Sequence, residues 1–338
     1  MDFRPIIEKL MAGADLEPGE TAGAFQRLVA GELDPAQLAA LLIALRIKGE
    51  SGPEIASAAR VFLESAQPFP RPDYVFGDSC GTGGDGQGTL NISSAVAFLA
   101  PACGLPIAKH GNRSVSSRSG SAEVFEQLGI PSTLTPEQSR RSLDEAGFCF
   151  LFAPGYHPGL RHAMPVRRAL GIRTLFNFLG PLVNPARPPF QLVGVYDAEQ
   201  ILPMAQALGR IGTEAALVVH GSGLDEIALH GPTEMAILRG GQVETLTLDP
   251  ASLDVPHFPL EALAGSDPES NAHELRALLQ GSGRSAYAWS VALNTGALLW
   301  IAGRASSLRE GLESAYETLR TGRAEAHLLA AQEIAHGA

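Results

Sequence analysis

Through the first 66 positions apolar residues recur at three- and four-residue spacing. The segments "PIIEKLMAGADL", "EPGETAGAFQRLVAGEL", "DPAQLAALLIALRIKG" and "SGPEIASAARVFLESA" each carry one apolar stripe, the pattern of a helix with one buried face. Gly, Pro, Asp and Ser punctuate between them, so four short helices are predicted. The stretch "QPFPRPDY", residues 67–74, then places three prolines in eight residues and reads as a linker.

Beyond the linker the period changes. Short continuous apolar runs appear: "YVFGDSC" (74–80), "LPIAKH" (105–110), "GFCFLFAP" (147–154), "FQLVGVY" (190–196) and "AALVVHG" (215–221). Helical patterns such as "SAEVFEQLG", "PEQSRRSLDEAG" and "AEQILPMAQALGRIG" lie between them. Continuous apolar strands that alternate with helices predict a largely parallel sheet covered on both faces. "TEMAILRGGQVETLTL" (233–248) reads as a hairpin turning at Gly240-Gly241, and helices dominate from about residue 268. The predicted fold is therefore α/β: a small all-helical domain plus a large α/β domain with a mainly parallel central sheet flanked by helices. The boundaries are 1–70 for the helical domain, joined by helices from about 160–187, and 71–338 for the α/β domain.

Composition narrows the function without naming it. The 338 residues are 45% hydrophobic and 18% charged, an ordinary globular balance. A formal net charge of −11 opposes binding to nucleic acid and anionic membranes, so an anionic ligand needs a local cluster of donors. Cys80, Cys103 and Cys149 lie far apart with no C-x-x-C spacing, which fits reduced thiols and a cytoplasmic protein. The start, "MDFRPIIEKL", lacks the apolar core of a signal peptide. The apolar run at residues 286–303 contains Ser290, Asn294 and Thr295 and reads as a buried helix.

Three stretches carry candidate chemistry. "GTGGDG", residues 81–86, satisfies G-x-G-x-x-G, yet it fails as a dinucleotide loop. Another glycine, Thr89 and Asn91 follow, helical periodicity starts only near Ser93 or Ser94 as N-caps, and Lys109 stands where a ribose-binding acid belongs. No G-K-[ST] follows, so a Walker loop is excluded too. A flexible, donor-rich turn leading into a helix N-terminus remains, and such a turn suits a phosphate. "KHGNRSVSSRSGS", residues 109–121, supplies Lys109, His110, Asn112, Arg113, Arg118 and five serines with no acid. Two such loops after strand ends fit a ligand with more than one phosphate. Asp225 and Glu226 in "GLDEI" follow a further strand and suit Mg2+, which prefers carboxylates, water and phosphate oxygens. No zinc pattern and no nucleophile elbow appears.

The runs "GTGGDGQGTLNISS", "KHGNRSVSSRSGSAEVFEQLG", "RRALGIRTLFNFLGPLVNPA" and "GLDEI", in this order, resemble the anthranilate phosphoribosyltransferase family over nearly the whole chain. The resemblance implies a fold of the nucleoside phosphorylase/phosphoribosyltransferase type. It also implies transfer of the phosphoribosyl group of 5-phosphoribosyl-1-pyrophosphate to the amine of anthranilate, as in tryptophan biosynthesis. Mg2+ would be the cofactor, and the chain would form a homodimer. By that resemblance Gly81, Gly84, Asp85, Thr89, Asn91, Ile92, Ser93 and Ser94 contact the phosphoribosyl donor. Lys109, His110, Gly111, Asn112, Arg113, Ser114, Val115, Ser116, Ser117 and Ser121 complete its site. Ser93, Asp225 and Glu226 serve the metal; Gly81, Asn112 and Arg167 position anthranilate. Leu90, Ser94 and Glu123 depart from the family's usual Phe, Thr and Asp.

An aromatic amine is neutral at pH 7, so the displacement needs no strong base. No acid–base residue is therefore expected, and orientation and charge stabilisation carry the rate. A pyrimidine-nucleoside phosphorylase, a transferase acting on another aromatic amine and a non-catalytic relative that binds nucleic acid are the competing readings.

Overall fold

The computed structural model describes residues 3–113 and 119–337. Four helices open the chain: α1 (Arg4–Met11), α2 (Pro18–Val29), α3 (Pro35–Lys48) and α4 (Gly52–Glu64). Their starts follow local chemistry. Asp34 caps α3 by accepting from the Ala36 N–H at 2.8 Å, and Ser51 with Glu54 forms a capping box on α4. Glu54 is fully buried and accepts from Lys48 Nζ at 2.8 Å and the Leu16 N–H at 2.9 Å, which ties α4 to the end of α3 and to the loop between α1 and α2.

The rest alternates as β1 (Gly77–Gly81), α5 (Ile92–Ala102), β2 (Ile107–Gly111), α6 (Ser121–Gln127), α7 (Pro136–Ala146) and β3 (Phe148–Phe152). Then come α8 (Ala153–Tyr156), α9 (Met164–Leu170), α10 (Phe176–Leu182), β4 (Phe190–Gly194), α11 (Ile201–Ile211) and β5 (Ala215–Gly221). A hairpin of β6 (Thr233–Arg239) and β7 (Gln242–Leu248) turns at Gly240-Gly241. Four helices close the chain: α12 (Pro268–Leu279), α13 (Ser285–Ile301), α14 (Leu308–Arg320) and α15 (Glu325–His336). The buried helix expected at 286–303 is α13, and no described helix is long and apolar enough to cross a membrane.

The strands form one sheet in the order β3-β2-β1-β4-β5-β6-β7. The pairings from β3 to β5 are parallel; β6 and β7 are antiparallel. The α/β architecture with a mainly parallel sheet is thus the one the alternation predicts. Successive strand residues point to opposite faces. Leu192, Leu217 and Val219 enter one core with α5, α13 and α14, whereas Val193, Ala216 and Val218 enter another with α11 and the opening helices. Phe25, Phe62 and Phe176 meet edge to face at 6.1–6.2 Å, so α10 packs between α2 and α4.

Two local expectations shift. The strand read at 74–80 begins only at Gly77, because its neighbour β4 begins at Phe190, the register partner of Gly77. Upstream, Tyr74 donates its hydroxyl to Asp144 at 2.6 Å instead. Helix α5 starts at Ile92 with Asn91 as its N-cap, not at Ser93 or Ser94. The Asn91 carbonyl accepts from Ala95, and the Ser93 N–H goes to a carboxylate from elsewhere in the chain.

Strands β1 and β4 are adjacent while the chain order runs outward on either side of them. Open parallel sheets bind ligands in the crevice beyond the carboxyl ends of such strands.

Candidate active site

The glycine loop leaves β1 at this crevice. Gly83, Gly84, Gly86 and Gly88 all have positive φ, between 62° and 82°, which side chains with a Cβ rarely adopt. The loop is fastened at both ends. Thr82 N–H donates to Gly194 O at 2.8 Å, and Leu90 N–H donates to Leu263 O at 2.9 Å. Thr89 makes a bridge with Ala264. Asn91 Oδ1 accepts from Asn271 Nδ2 at 2.9 Å, and its carbonyl accepts from the Tyr287 hydroxyl at 3.1 Å. Asn91 Nδ2 in turn donates to Ser119 O at 3.3 Å, so the cap of α5 joins the glycine loop to the second loop. Ile92 and Ser94 are buried beneath.

The acidic pair faces this loop from beyond β5. Asp225 Oδ2 accepts from the Gly83 N–H at 2.7 Å, and Glu226 Oε1 accepts from the Ser93 N–H at 3.1 Å. A Cβ on Gly81 would overlap the Asp225 carboxylate, and one on Gly194 would overlap the Asp225 backbone. Only glycine at these two strand ends lets the acidic loop lie across them. Lys109 is 2% exposed, and its Nζ donates to Ser79 O at 2.6 Å and Ser93 Oγ at 3.1 Å. Ser93 therefore touches both Lys109 and Glu226.

Burial pushes the Asp225 and Glu226 carboxyls above their usual range; the Asp85 charge adds to the first and the Asp225 charge to the second. The nearby Lys109 charge pulls Glu226 the other way without cancelling this. Crowded hard oxygens of this kind fit a hard divalent cation. No described cluster of three His, Cys, Asp or Glu residues encloses one. Two carboxylates would leave most of a cation's coordination positions to water and phosphate oxygens, the set Mg2+ prefers.

In the second loop, Lys109, His110 and Gly111 end β2. Asn112 is exposed, and its carbonyl accepts from Ala122 N–H and Ser121 Oγ, both at 3.4 Å. A Cβ on Gly111 would overlap Ser121 Oγ. The Arg113 guanidinium pairs with Glu126 at 2.6 Å and lies 5.8 Å from the Phe152 ring centre. Ser114, Val115, Ser116, Ser117 and Arg118 lie outside the described residues.

Arg167, on α9, sits over the Phe176 ring at 4.9 Å. Its N–H reaches only Met164 Sδ, at 4.0 Å, and no described carboxylate pairs with it. Burial lowers its pKa, so the cation is partly desolvated and unpaired. Helix α10, which carries Phe176, also orients two histidines. His110 Nδ1 meets Gly180 O at 3.0 Å, and His157 Nε2 meets Val183 O at 2.7 Å. A carbonyl can only accept, so these nitrogens carry the protons. His110 Nε2 is then a buried acceptor without a hydrogen-bond partner among the described residues, whereas His157 also interacts with the Phe62 backbone. The rings are 5.3 Å apart, and burial holds His110 down to about 3 and therefore neutral. His157 escaped the sequence reading; the only signal is its place in "GYHPG", shortly before Arg167. Arg173 also escaped. It lies 3.8 Å from the Tyr196 ring centre and donates to the Gly84 carbonyl.

Known proteins resemble the chain over nearly its whole length. Residues 4–66 match the helical bundle domain of the glycosyl transferase family, and residues 73–325 match its a/b domain. Anthranilate phosphoribosyltransferase of Sorangium cellulosum (strain So ce56) is 57% identical over 323 residues, covering 96% of this chain and 93% of that protein. The chain belongs to the anthranilate phosphoribosyltransferase family. The crystal structure of the anthranilate phosphoribosyltransferase of Thermus thermophilus aligns with a TM-score of 0.92 at 42% identity, covering 99% of this chain and 100% of that one. The Saccharomyces cerevisiae enzyme in complex with PRPP and Mg aligns with a TM-score of 0.89 at 26% identity, covering 99% and 98%. Membership of the anthranilate phosphoribosyltransferase family sets aside the nucleoside phosphorylase reading.

Proposed function

We propose that this chain uses the crevice beyond β1 and β4 to transfer a phosphoribosyl group from 5-phosphoribosyl-1-pyrophosphate to the amine of anthranilate, in a Mg2+-dependent reaction. One observation carries the assignment to these residues: Lys109, Ser93 and Glu226 form a single hydrogen-bonded chain that joins both donor-rich loops to the acidic pair. The complex of the yeast relative with PRPP and Mg supports it.

In this reading the C1–O bond to pyrophosphate breaks, the C1–N bond to the amine forms, and the amine gives up one proton. The glycine loop and the N-terminal turn of α5 offer backbone N–H groups to the phosphates. Asp225 and Glu226, with Ser93, would hold Mg2+, which would neutralise the departing charge. Lys109 holds Ser93 in place from below. Arg167, with no acid of its own, grips the anthranilate carboxylate with its planar fork. The proton that the amine gives up passes to solvent water. No residue acts as a strong base, because the amine is already neutral.

We also infer a cytoplasmic homodimer. Met11 at the end of α1 and Ile47 near the end of α3 are 78% and 81% exposed, two large apolar side chains on the surface of the opening helices that suit a second copy. All three cysteines are free, as in a reducing compartment. Fluorescence-monitored consumption of anthranilate with the phosphoribosyl donor and Mg2+, run beside substituted anthranilates, tests the activity. Turnover of anthranilate is expected; preference for a different aromatic amine overturns the acceptor assignment. Light scattering on the purified chain tests the dimer.

A further inference from the structure

Arg173 lies between α9 and α10, six residues beyond Arg167. Its guanidinium stacks on Tyr196 with 3.8 Å to the ring centre, and its N–H donates to the Gly84 carbonyl at the tip of the glycine loop. Tyr196 is itself joined to that loop, since its backbone N–H donates to Thr82 Oγ1 at 3.3 Å. A Cβ on Gly84 would stand 3.4 Å from Arg173 Nε, so the glycine leaves room for the side chain. A guanidinium presents its donors as a flat fork that suits oxyanions. A guanidinium has five N–H donors, and the carbonyl of Gly84 engages one nitrogen.

No described carboxylate pairs with Arg173, although Asp85 lies in the same loop and Asp225 contacts it. Lys109 is buried under the loop and already donates to Ser79 and Ser93. Arg113 is paired with Glu126. Arg167 faces Phe176. Among these cations, Arg173 is the one exposed at the loop tip with donors to spare.

From this geometry we infer that Arg173 is a direct ligand of the donor's pyrophosphate group, a role that rests on the proposed function of the site. The stack on Tyr196 holds the cation in place before the ligand arrives. Binding replaces or adds to its contact with the Gly84 carbonyl, so the segment that bears Arg167 is held against the occupied donor loop.

Calorimetric titration of inorganic pyrophosphate with Mg2+ into the full-length protein tests this. Arg173→Ala should weaken pyrophosphate binding about tenfold or more, the loss expected for a charge-assisted hydrogen bond. Arg173→Lys should fall between, since it keeps the charge and loses the fork. Tyr196→Leu should weaken pyrophosphate binding while leaving Arg173 present. Anthranilate affinity, read by fluorescence, should stay within about twofold in all three. Unchanged pyrophosphate binding in Arg173→Ala overturns the inference and leaves the proposed function standing. Equal losses for both ligands overturn it as well, because they mark a merely structural role. A wild-type protein that binds neither ligand overturns the site reading and the inference together.

Discussion

Replacing Arg167 separates the two halves of the proposed site. Its guanidinium is partly buried and, among the described residues, meets no carboxylate but lies over Phe176 and reaches the Met164 sulfur. Arg167→Met keeps the stem and loses the fork. A charge-assisted hydrogen bond contributes about 1.5–3 kcal/mol, which corresponds to roughly 10- to 150-fold in affinity. The contact with Phe176 contributes about 0.5–2 kcal/mol to the fold. Desolvation of the unpaired cation opposes that contribution, so the melting temperature should move little. The Michaelis constant for anthranilate should therefore rise about 10- to 150-fold, while that for the phosphoribosyl donor changes by less than about threefold. Arg167→Lys should recover part of the loss. Steady-state kinetics with each substrate varied in turn, followed by anthranilate fluorescence, measures both constants. Equal increases in the two would refute the assignment of Arg167 to the acceptor.

Other outcomes follow from the acidic loop and the strand ends. The double substitution Asp225→Asn with Glu226→Gln should lower kcat by orders of magnitude and flatten its dependence on Mg2+; wild-type turnover across Mg2+ concentrations would contradict the metal assignment. Gly194→Ala should cost about 2–3 kcal/mol or more in urea unfolding, because its Cβ would overlap the Asp225 backbone and overpacking is costly. An unchanged unfolding midpoint would show that the acidic loop yields easily. The folded-state pKa values of Asp225 and Glu226 are raised, so these groups hold protons that the unfolded chain has lost. Their contribution to ligand-free stability is thus present at low pH and lost as pH rises from the ordinary carboxylate range toward the raised values. A divalent cation competes with those protons, so the melting-temperature gain from Mg2+ should be larger at pH 8 than at pH 6. A gain that shrinks with rising pH would contradict this ordering.

Much of the architecture is legible from local pattern. The opening helices show in their apolar stripes and in turn residues such as Asp34 and Ser51, which act within a few positions of themselves. The parallel strands show because both their faces are buried, which makes their sequence continuously apolar. The glycine loop is also legible as a turn, since Gly83 to Asn91 combine glycines with polar residues in one run, and its glycines take positive φ in the fold. What pattern could not supply were partners distant in the chain. The start of α5 moved to Ile92 because Glu226, 133 residues from Ser93, takes the Ser93 N–H. Arg113 reads as a donor in "HGNRS", and in the fold its guanidinium pairs with Glu126 on α6, 13 residues further along the chain. His157 gains meaning only when the fold brings it within 5.3 Å of His110. Gly81 reads as part of a loop motif, whereas in the fold it clears space for Asp225.

The central claim is that two donor-rich loops and an acidic pair together hold a pyrophosphate-bearing sugar through a divalent cation. Titration calorimetry of 5-phosphoribosyl-1-pyrophosphate into the purified chain, with and without Mg2+, tests it most directly. The account predicts saturable one-site binding with Mg2+ that weakens sharply when the metal is withheld or when Asp225 and Glu226 are replaced together. No binding heat with Mg2+ present, or the same affinity in its absence, would contradict it.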